Sequence, residues 1–307
     1  MAKERTTTES RVERVRKLLK SPNARIQALM GVLHPTEIAQ VLEDTPRETQ
    51  LKIVKNLPRD VLSEAITEMD EDSYPGQLLL LLNPKVAASI LNILDFDDAA
   101  DLLAELPEDE QAKILFHMSD EDEDVLNQLL EYDEDSAGGL MNPEVIFVKE
   151  NMSKLEALRQ VVAQSETMEE FYTIYVVDDD EVLQGFLTFR SLFVSRNTEL
   201  VKNIMGTDVV SVDVYMDQEE VAKVMAQYNF PTLPVVDLEG KLLGRITFDD
   251  VLDVIEEEST EDLLSFAGVS DEENLRGGWS DAVRSRIPWL IINLMTASVA
   301  GFTISQF

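Results

Sequence analysis

The sequence contains no cysteine, which excludes disulfides, thiolate metal sites and cysteine nucleophiles. Only two histidines occur, His34 and His117, far apart in the chain, so a histidine-built zinc centre or a Ser–His–Asp triad lacks its material. Basic residues are scarce: 26 Lys and Arg stand against 60 Asp and Glu, a formal net charge of −34 over 307 residues. Phosphate polymers are bound by cationic side chains that displace counterions, so the charge balance argues against nucleic acid as a partner. Cations and basic surfaces are favoured instead. The first residues run from Lys3 and Arg5 into Thr and Ser without an apolar stretch, so no signal peptide is expected. With no P-loop and no nucleophile–base pair in the sequence, the chain is not expected to be an enzyme.

What is present is enough to fold. The chain is 44% hydrophobic, sufficient for packed cores, and its length suits two or three domains. An amphipathic helix is expected around Val12, Val15, Leu18 and Leu19, followed by a loose repeat punctuated by Pro35, Pro46, Pro58, Pro84 and Pro107. Proline at the first helical position, with apolar residues following at i+3 and i+4 spacing, predicts a short helix each time. Such helices are too short to be stable alone and must stack. Residues 1–137 are therefore read as an acidic, all-α superhelical domain. His34 reads as a cap or surface residue, and His117, beside Ile114 and Leu115, as a core residue.

Beyond Gly138-Gly139 the pattern becomes strand-like, at Val145–Val148, Thr173–Val177, Val209–Val212 and Leu233–Val236. Here the chain repeats itself. Leu140-Met141, Val148 and Met152 match Ile204-Met205, Val212 and Met216 at an offset of 64 residues, and Ile174–Asp178 and Gly185–Thr188 match Leu233–Asp237 and Gly244–Thr247 at 59. Each copy reads strand, helix, strand, turn, strand, helix. The α/β copies are assigned to residues 138–203 and 204–258, an acidic connecting helix to 259–286, and a final segment to 287–307.

The final 21 residues, 287–307, carry no charge, about the length that spans a bilayer's hydrocarbon. Pro288 suits a first helical turn and Trp289 an interface, while Arg284 and Arg286 place residues 1–286 on the cytoplasmic side. A buried core helix is the competing reading, given Asn293 and several Ser and Thr. The chain is expected to be part of a longer protein of the inner (plasma) membrane.

Acids cluster as well as predominate. Between Asp95 and Asp135 there are 17 Asp or Glu and one base, Lys113; between Glu256 and Glu273 there are eight acids and no base. Like charges at roughly 4 Å repel by about 4 kcal/mol at an effective dielectric near 20. Mg²⁺ takes oxygen ligands only and usually keeps several waters while touching one or two carboxylates. Three groups stand out: Asp97 with Asp101 (i, i+4), Asp250 with Asp253 (i, i+3), and Glu258 with Glu261 and Asp262. Each can also be read as a solvated charged face.

The Leu-Met and Ile-Met openings, the Val-Val-Asp centres and the Gly-x-x-Thr segments resemble a tandem pair of CBS domains. That resemblance implies two βαββα units, dimerisation, and a cleft able to take adenine nucleotides, with the Asp of Gly-x-x-Thr-x-x-Asp on ribose. The second copy keeps Gly244, Thr247 and Asp250; the first has Ser191 in place of the Asp. The acidic helical domain, Ala137-Gly-Gly-Leu-Met141, Asp249-Asp-Val-Leu-Asp-Val254, the acidic helix and Arg284-x-Arg286-x-x-Trp289 together resemble the cytoplasmic part of the MgtE family of magnesium channels and transporters. The resemblance implies regulatory Mg²⁺ ligands at Glu64, Asp97, Asp101, Glu219, Asp250, Asp253, Glu258, Glu261 and Asp262, and backbone carbonyl contributions at Gly139 and Ala226. Asn229 stands where family members can carry Asp. Arg190 and Phe230 fall at positions that contact ATP in related pairs, although Phe230 beside Pro231 also reads as core packing. The implied function is a Mg²⁺-sensing gate of a homodimeric, membrane-bound Mg²⁺ channel, closed and compact when Mg²⁺ is bound. The alternative is a membrane-tethered adenine-nucleotide-sensing CBS module.

Overall fold

The computed structural model describes residues 31–70, 73–165 and 171–266 and the single positions Ile26, Ile287, Ile291 and Met295, without the side chains of 256–257 and 261–266. The helix expected around Val12–Leu19, residues 267–286 of the expected connecting helix and the apolar segment 287–307, its three single positions apart, lie outside the described residues. Among those described, no helix is long and apolar enough to cross a membrane.

Among the described residues, seven short helices build the N-terminal part: α1 (Pro35–Glu43), α2 (Arg47–Val54), α3 (Arg59–Thr67), α4 (Pro84–Leu91), α5 (Phe96–Ala104), α6 (Glu108–Leu115) and α7 (Asp120–Leu129), with a 3-10 helix at Pro75–Leu81. Pro35 and Pro84 open their helices, as expected, but Pro46, Pro58 and Pro107 stand one residue earlier, at the N-cap. Their extended backbone there (Pro46 φ −61°, ψ 148°) suits proline's fixed φ equally well, and the ring bars the residue before it from continuing the previous helix. Each helix buries one stripe. Ile38, Leu42, Ile53, Leu62, Ile66, Leu79, Ile90, Leu91, Leu103 and Leu126 are all fully enclosed, with α1 packed on α3, α3 on α4, α4 on α6, and α5 on α7. His34 is an exposed N-cap residue whose N–H donates to the Glu37 carboxylate at 3.0 Å. His117 is exposed, correcting the core expectation. Helix α6 ends at Leu115, so the buried stripe stops there, and the His117 ring meets Phe116 edge-on, centroids 5.5 Å apart.

The repeat folds as two βαββα copies. The first comprises β1 (Phe147–Lys149), α8 (Lys154–Gln164), β2 (Ile174–Val177), β3 (Leu183–Leu187) and α9 (Phe189–Val194); the second β4 (Val212–Asp213), α10 (Gln218–Tyr228), β5 (Thr232–Val236), β6 (Leu242–Thr247) and α11 (Phe248–Phe266). Sheet order is β1-β2-β3 and β4-β5-β6, with β1 parallel to β2 and β4 parallel to β5. Ile146, Val148, Ala157, Val161, Ile174, Val176, Leu187 and Leu192 form the first copy's core. Between the sheets Tyr175 donates to Thr232 Oγ1 (3.2 Å), which donates to Thr173 Oγ1 (3.0 Å). Burial pushes the Tyr175 phenol up to about 12, keeping it a neutral donor.

The copies exchange their openings. Asn142 exchanges backbone hydrogen bonds with Arg245 of β6 (2.8 and 2.9 Å), and its repeat equivalent Gly206 does the same with Phe186 of β3 (2.9 and 3.0 Å). Each repeat therefore begins as an added edge on the other copy's last strand. The two hairpin turns also pair with one another, Leu183 N–H with Gly240 O and Leu242 N–H with Glu181 O. The Asp of each Val-Val-Asp shapes its own turn: Asp178 Oδ1 accepts from the N–H groups of Asp180 and Val182, and Asp237 Oδ1 from those of Glu239 and Lys241. At equivalent places Gly240 has φ +81° and Glu181 has φ +66°. A left-handed conformation costs a Cβ-bearing residue roughly 1–2 kcal/mol, so Glu181→Gly is expected to stabilise the protein by about 1 kcal/mol after the added chain entropy of glycine is subtracted. Chemical denaturation would show a higher midpoint; a lower one would contradict the symmetry argument.

By internal contacts the chain divides into Met1–Asp217 with Pro231–Ile246, and Gln218–Phe230 with Thr247–Phe307. In the second unit α10 packs along α11, and Gln218 Nε2 donates to Glu258 at 2.9 Å. Helix α11 runs unbroken through position 258, so acids expected at the start of a separate helix share one helix with Asp250 and Asp253. It buries Val251 and Val254 yet also exposes Phe248, Leu252 and Ile255. In the first unit α8 similarly exposes Leu155, Leu158 and Val162, and α9 exposes Phe193 and Val194.

Candidate metal-responsive acidic faces

Helix α5 begins at N-cap Asp95 and carries Asp97 and Asp98 in its first turn, where the helix dipole favours negative charge. Its inner stripe is Ala99, Ala100, Leu102 and Leu103, leaving Asp97 and Asp101 on one outer face, the former half-buried and the latter exposed. Asn142 Nδ2 donates to Asp97 Oδ1 at 3.3 Å. Glu64 is an exposed residue of α3. Gly139 is half-buried, with its N–H on Ser136 Oγ at 3.3 Å.

On α10, Glu219 is exposed and paired with Lys223 at 2.8 Å, one turn on. Ala226 is exposed in the last turn, where free carbonyls form the negative end of the helix dipole and suit a cation. Asn229 follows at φ +54°, with its N–H on Met225 O at 2.9 Å; asparagine tolerates this left-handed helix end better than most residues. Phe230 stacks on Tyr228, centroids 5.6 Å apart and planes 8° from parallel. On α11, Asp250 Oδ2 accepts from Thr247 N–H (3.0 Å) and from the Thr247 hydroxyl, a capping arrangement that serves the helix start whether or not a ligand is present. Asp253 is exposed and Glu258 half-buried. Glu261 and Asp262 lie on α11, but their side chains lie outside the described residues. Arg190 is exposed on α9; Ser191, standing where the second copy has Asp250, has its N–H on Thr188 Oγ1 at 3.1 Å.

Among the described residues no three acidic or histidine side chains converge on one point. The described candidate carboxylates lie on helices, Glu64 on α3, Asp97 and Asp101 on α5, Glu219 on α10, and Asp250, Asp253 and Glu258 on α11. That donor set, oxygen only, fits Mg²⁺, which seldom sheds its hydration for an all-protein site.

The first unit also holds an acidic junction that sequence reasoning did not single out. Asn142 is 1% exposed, its Oδ1 accepts from Glu144 N–H at 2.8 Å, and Arg245 Nε donates to the Glu144 carbonyl at 3.0 Å. Burial, and then the nearby Asp95, hold the Glu144 carboxyl above the usual carboxylate range; Asp122 adds to this and Arg245 opposes it. The signal available was Asn142-Pro143, a turn-forming dipeptide directly after the Leu-Met opening. The partners on α5 and α7 are distant in sequence and only folding reveals them.

Comparison with known proteins agrees with this architecture. The MgtE intracellular N domain is matched over residues 33–135, and the CBS domain over 137–195 and 201–257. The magnesium transporter MgtE of Thermus thermophilus is 33% identical over 287 residues, covering 92% of this chain; the chain spans 64% of that relative's length. A solved soluble part of a magnesium transporter is 30% identical with a TM-score of 0.67, covering 82% of this chain and 99% of its own. The solved cytosolic domain of the Mg²⁺ channel MgtE in complex with ATP is 35% identical with a TM-score of 0.67, covering 74% and 93%. The chain belongs to the MgtE family of magnesium transporters, of which it carries the helical N domain and the CBS pair.

Proposed function

We propose that this chain is the Mg²⁺-sensing cytosolic gate of a dimeric, membrane-bound Mg²⁺ channel. Carboxylates of α5, α10 and α11 bind Mg²⁺ as cytosolic Mg²⁺ rises. Their repulsion is then neutralised, and a compact state that holds the pore shut is favoured. As Mg²⁺ falls, the uncompensated charge releases that state. The role is regulatory and involves no catalytic step. A ligand shifts such an equilibrium only through its different affinity for the two states, and several weak ions acting together steepen the response. The observation that carries the reading is the placement of paired acids on single helix faces, in a chain of net charge −34. The exposed apolar residues of α8 and α9 in the first unit, and separately those of α11 in the second, favour docking of a second copy, with segment 287–307 as the attachment to the membrane.

A second ligand is favoured by one observation: Gly244, Thr247 and Asp250 are all retained, and a 35% identical cytosolic domain was solved with ATP. ATP would then meet Phe230 and Arg190. Thermal melts separate the readings. Millimolar Mg²⁺ at a hundredfold excess over its dissociation constant stabilises by about 2.7 kcal/mol per site, so about 10 mM Mg²⁺ without nucleotide should raise the melting temperature by several degrees. Stabilisation by ATP or AMP alone, with none from Mg²⁺, would overturn the Mg²⁺ reading in favour of a nucleotide sensor.

A further inference from the structure

Asn142 ties the opening of the first CBS copy to helix α5 within the first unit. Its backbone is clamped by Arg245 of β6, the Asn142 N–H donating to Arg245 O at 2.8 Å and the Asn142 carbonyl accepting from Arg245 N–H at 2.9 Å. In the second copy the equivalent residue, Gly206, makes the same exchange without a side chain. The exchange therefore needs no amide at this position, and the Asn142 side chain serves something beyond it. Although the residue is only 1% exposed, both ends of that amide are engaged. Oδ1 accepts from Glu144 N–H at 2.8 Å, and Nδ2 donates to Asp97 Oδ1 at 3.3 Å. These partners fix which way the amide points, because a flipped group would set donor against donor and oxygen against carboxylate. The same Asp97 oxygen also accepts from Asp98 N–H at 3.1 Å, in the first turn of α5. We propose that Asn142 is a positioning residue for Mg²⁺ binding: it holds the Asp97 carboxylate in the orientation in which the ion is taken.

The inference rests on the reading of Asp97 as a Mg²⁺ ligand, and it adds how that ligand is prepared. A carboxylate that is to take a cation must be oriented and must keep its charge. A lysine or arginine partner would orient it but compete with the metal for that charge. An amide donates a hydrogen bond while carrying no charge, so Asp97 is held and its negative charge remains for the ion. A side chain already held also loses less freedom when the metal arrives. Groups that hydrogen-bond a metal's ligands in this way contribute substantially to its affinity.

The test is a double-variant cycle read in the Mg²⁺ concentration at the midpoint of thermal stabilisation, at constant ionic strength. It compares the parent, Asn142→Ala, Asp97→Asn and the two combined, each melted in EDTA as well. Asn142→Ala should raise the Mg²⁺ midpoint by about three- to tenfold, at or just below the low end of what losing a ligand's hydrogen-bond partner costs, because several carboxylates share the response. In the Asp97→Asn background the same change should move the midpoint by less than about twofold, since two residues acting as one unit are not additive. Asn142→Gly, which leaves the backbone exchange as Gly206 makes it, should behave as Asn142→Ala does, so one truncation decides if the other does not fold. A role in packing alone would lower the melting temperature in EDTA and leave the Mg²⁺ midpoint at the parent's value. That result, or equal midpoint shifts in both backgrounds, overturns the positioning role while Mg²⁺ sensing stands. Failure of both truncations to fold overturns it too, by making Asn142 a structural residue. A parent without any Mg²⁺ response overturns both readings together.

Discussion

Replacing Asp97 and Asp250 together by Asn should shift the Mg²⁺ concentration needed for thermal stabilisation upward by about tenfold or more, which corresponds to about 1.4 kcal/mol. Asparagine, not alanine, is the informative choice. Asp97 accepts from Asn142, and Asp250 accepts from Thr247 at the start of α11. An amide oxygen preserves both hydrogen bonds while removing two charges, whereas alanine would also forfeit the cap, at a cost of about 1 kcal/mol. The control is Glu121→Gln with Glu131→Gln, an equal change in charge at positions outside the proposed ligand set. If both double variants shift the Mg²⁺ response equally, the effect is one of net charge and Asp97 and Asp250 are not ligands.

Gly139→Ala should destabilise the protein by about 2–3 kcal/mol through overpacking, which lowers the melting temperature by several degrees in a domain of this size. A Cβ at Gly139 would stand 2.5 Å from Glu134 O and 2.6 Å from Asp133 O. Both are backbone atoms, so no side-chain rotation relieves the clash. The adjoining segment is pinned by Ala137 N–H on Met216 O (2.7 Å) and Gly138 N–H on Val214 O (2.8 Å), which prevents it from moving aside. Unchanged stability in a calorimetric melt would show that the segment is looser than this packing implies.

These two expectations rest on different levels of legibility. The βαββα repeat was readable because short continuous apolar runs and duplicated spacings survive in the sequence, and Val-Val-Asp and Gly-x-x-Thr recur at the same places in both copies. The exchange of openings was not readable. Asn142 and Gly206 are unlike residues, and their pairing with Arg245 and Phe186 is made by backbone groups, which leave no mark on side-chain identity. Proline spacing found the N-terminal helices but placed three starts one residue early, because proline suits the N-cap and the first turn alike. His117 was misplaced because helical periodicity was extended past Leu115, where the helix stops. For the acidic faces, i, i+3 and i, i+4 spacing identified which carboxylates share a side of α5 or α11. Glu144 could not be found that way. Its environment is made by Asp95, Asp122 and Arg245, from three other parts of the chain.

The central claim is that bound Mg²⁺ compacts this region by neutralising acids that otherwise repel. Small-angle scattering of the chain across the millimolar Mg²⁺ range, at ionic strength held constant with NaCl to remove general screening, measures it most directly. The account predicts a radius of gyration that falls steeply as Mg²⁺ rises. A profile that does not change with Mg²⁺, or one reproduced by NaCl alone, would contradict it.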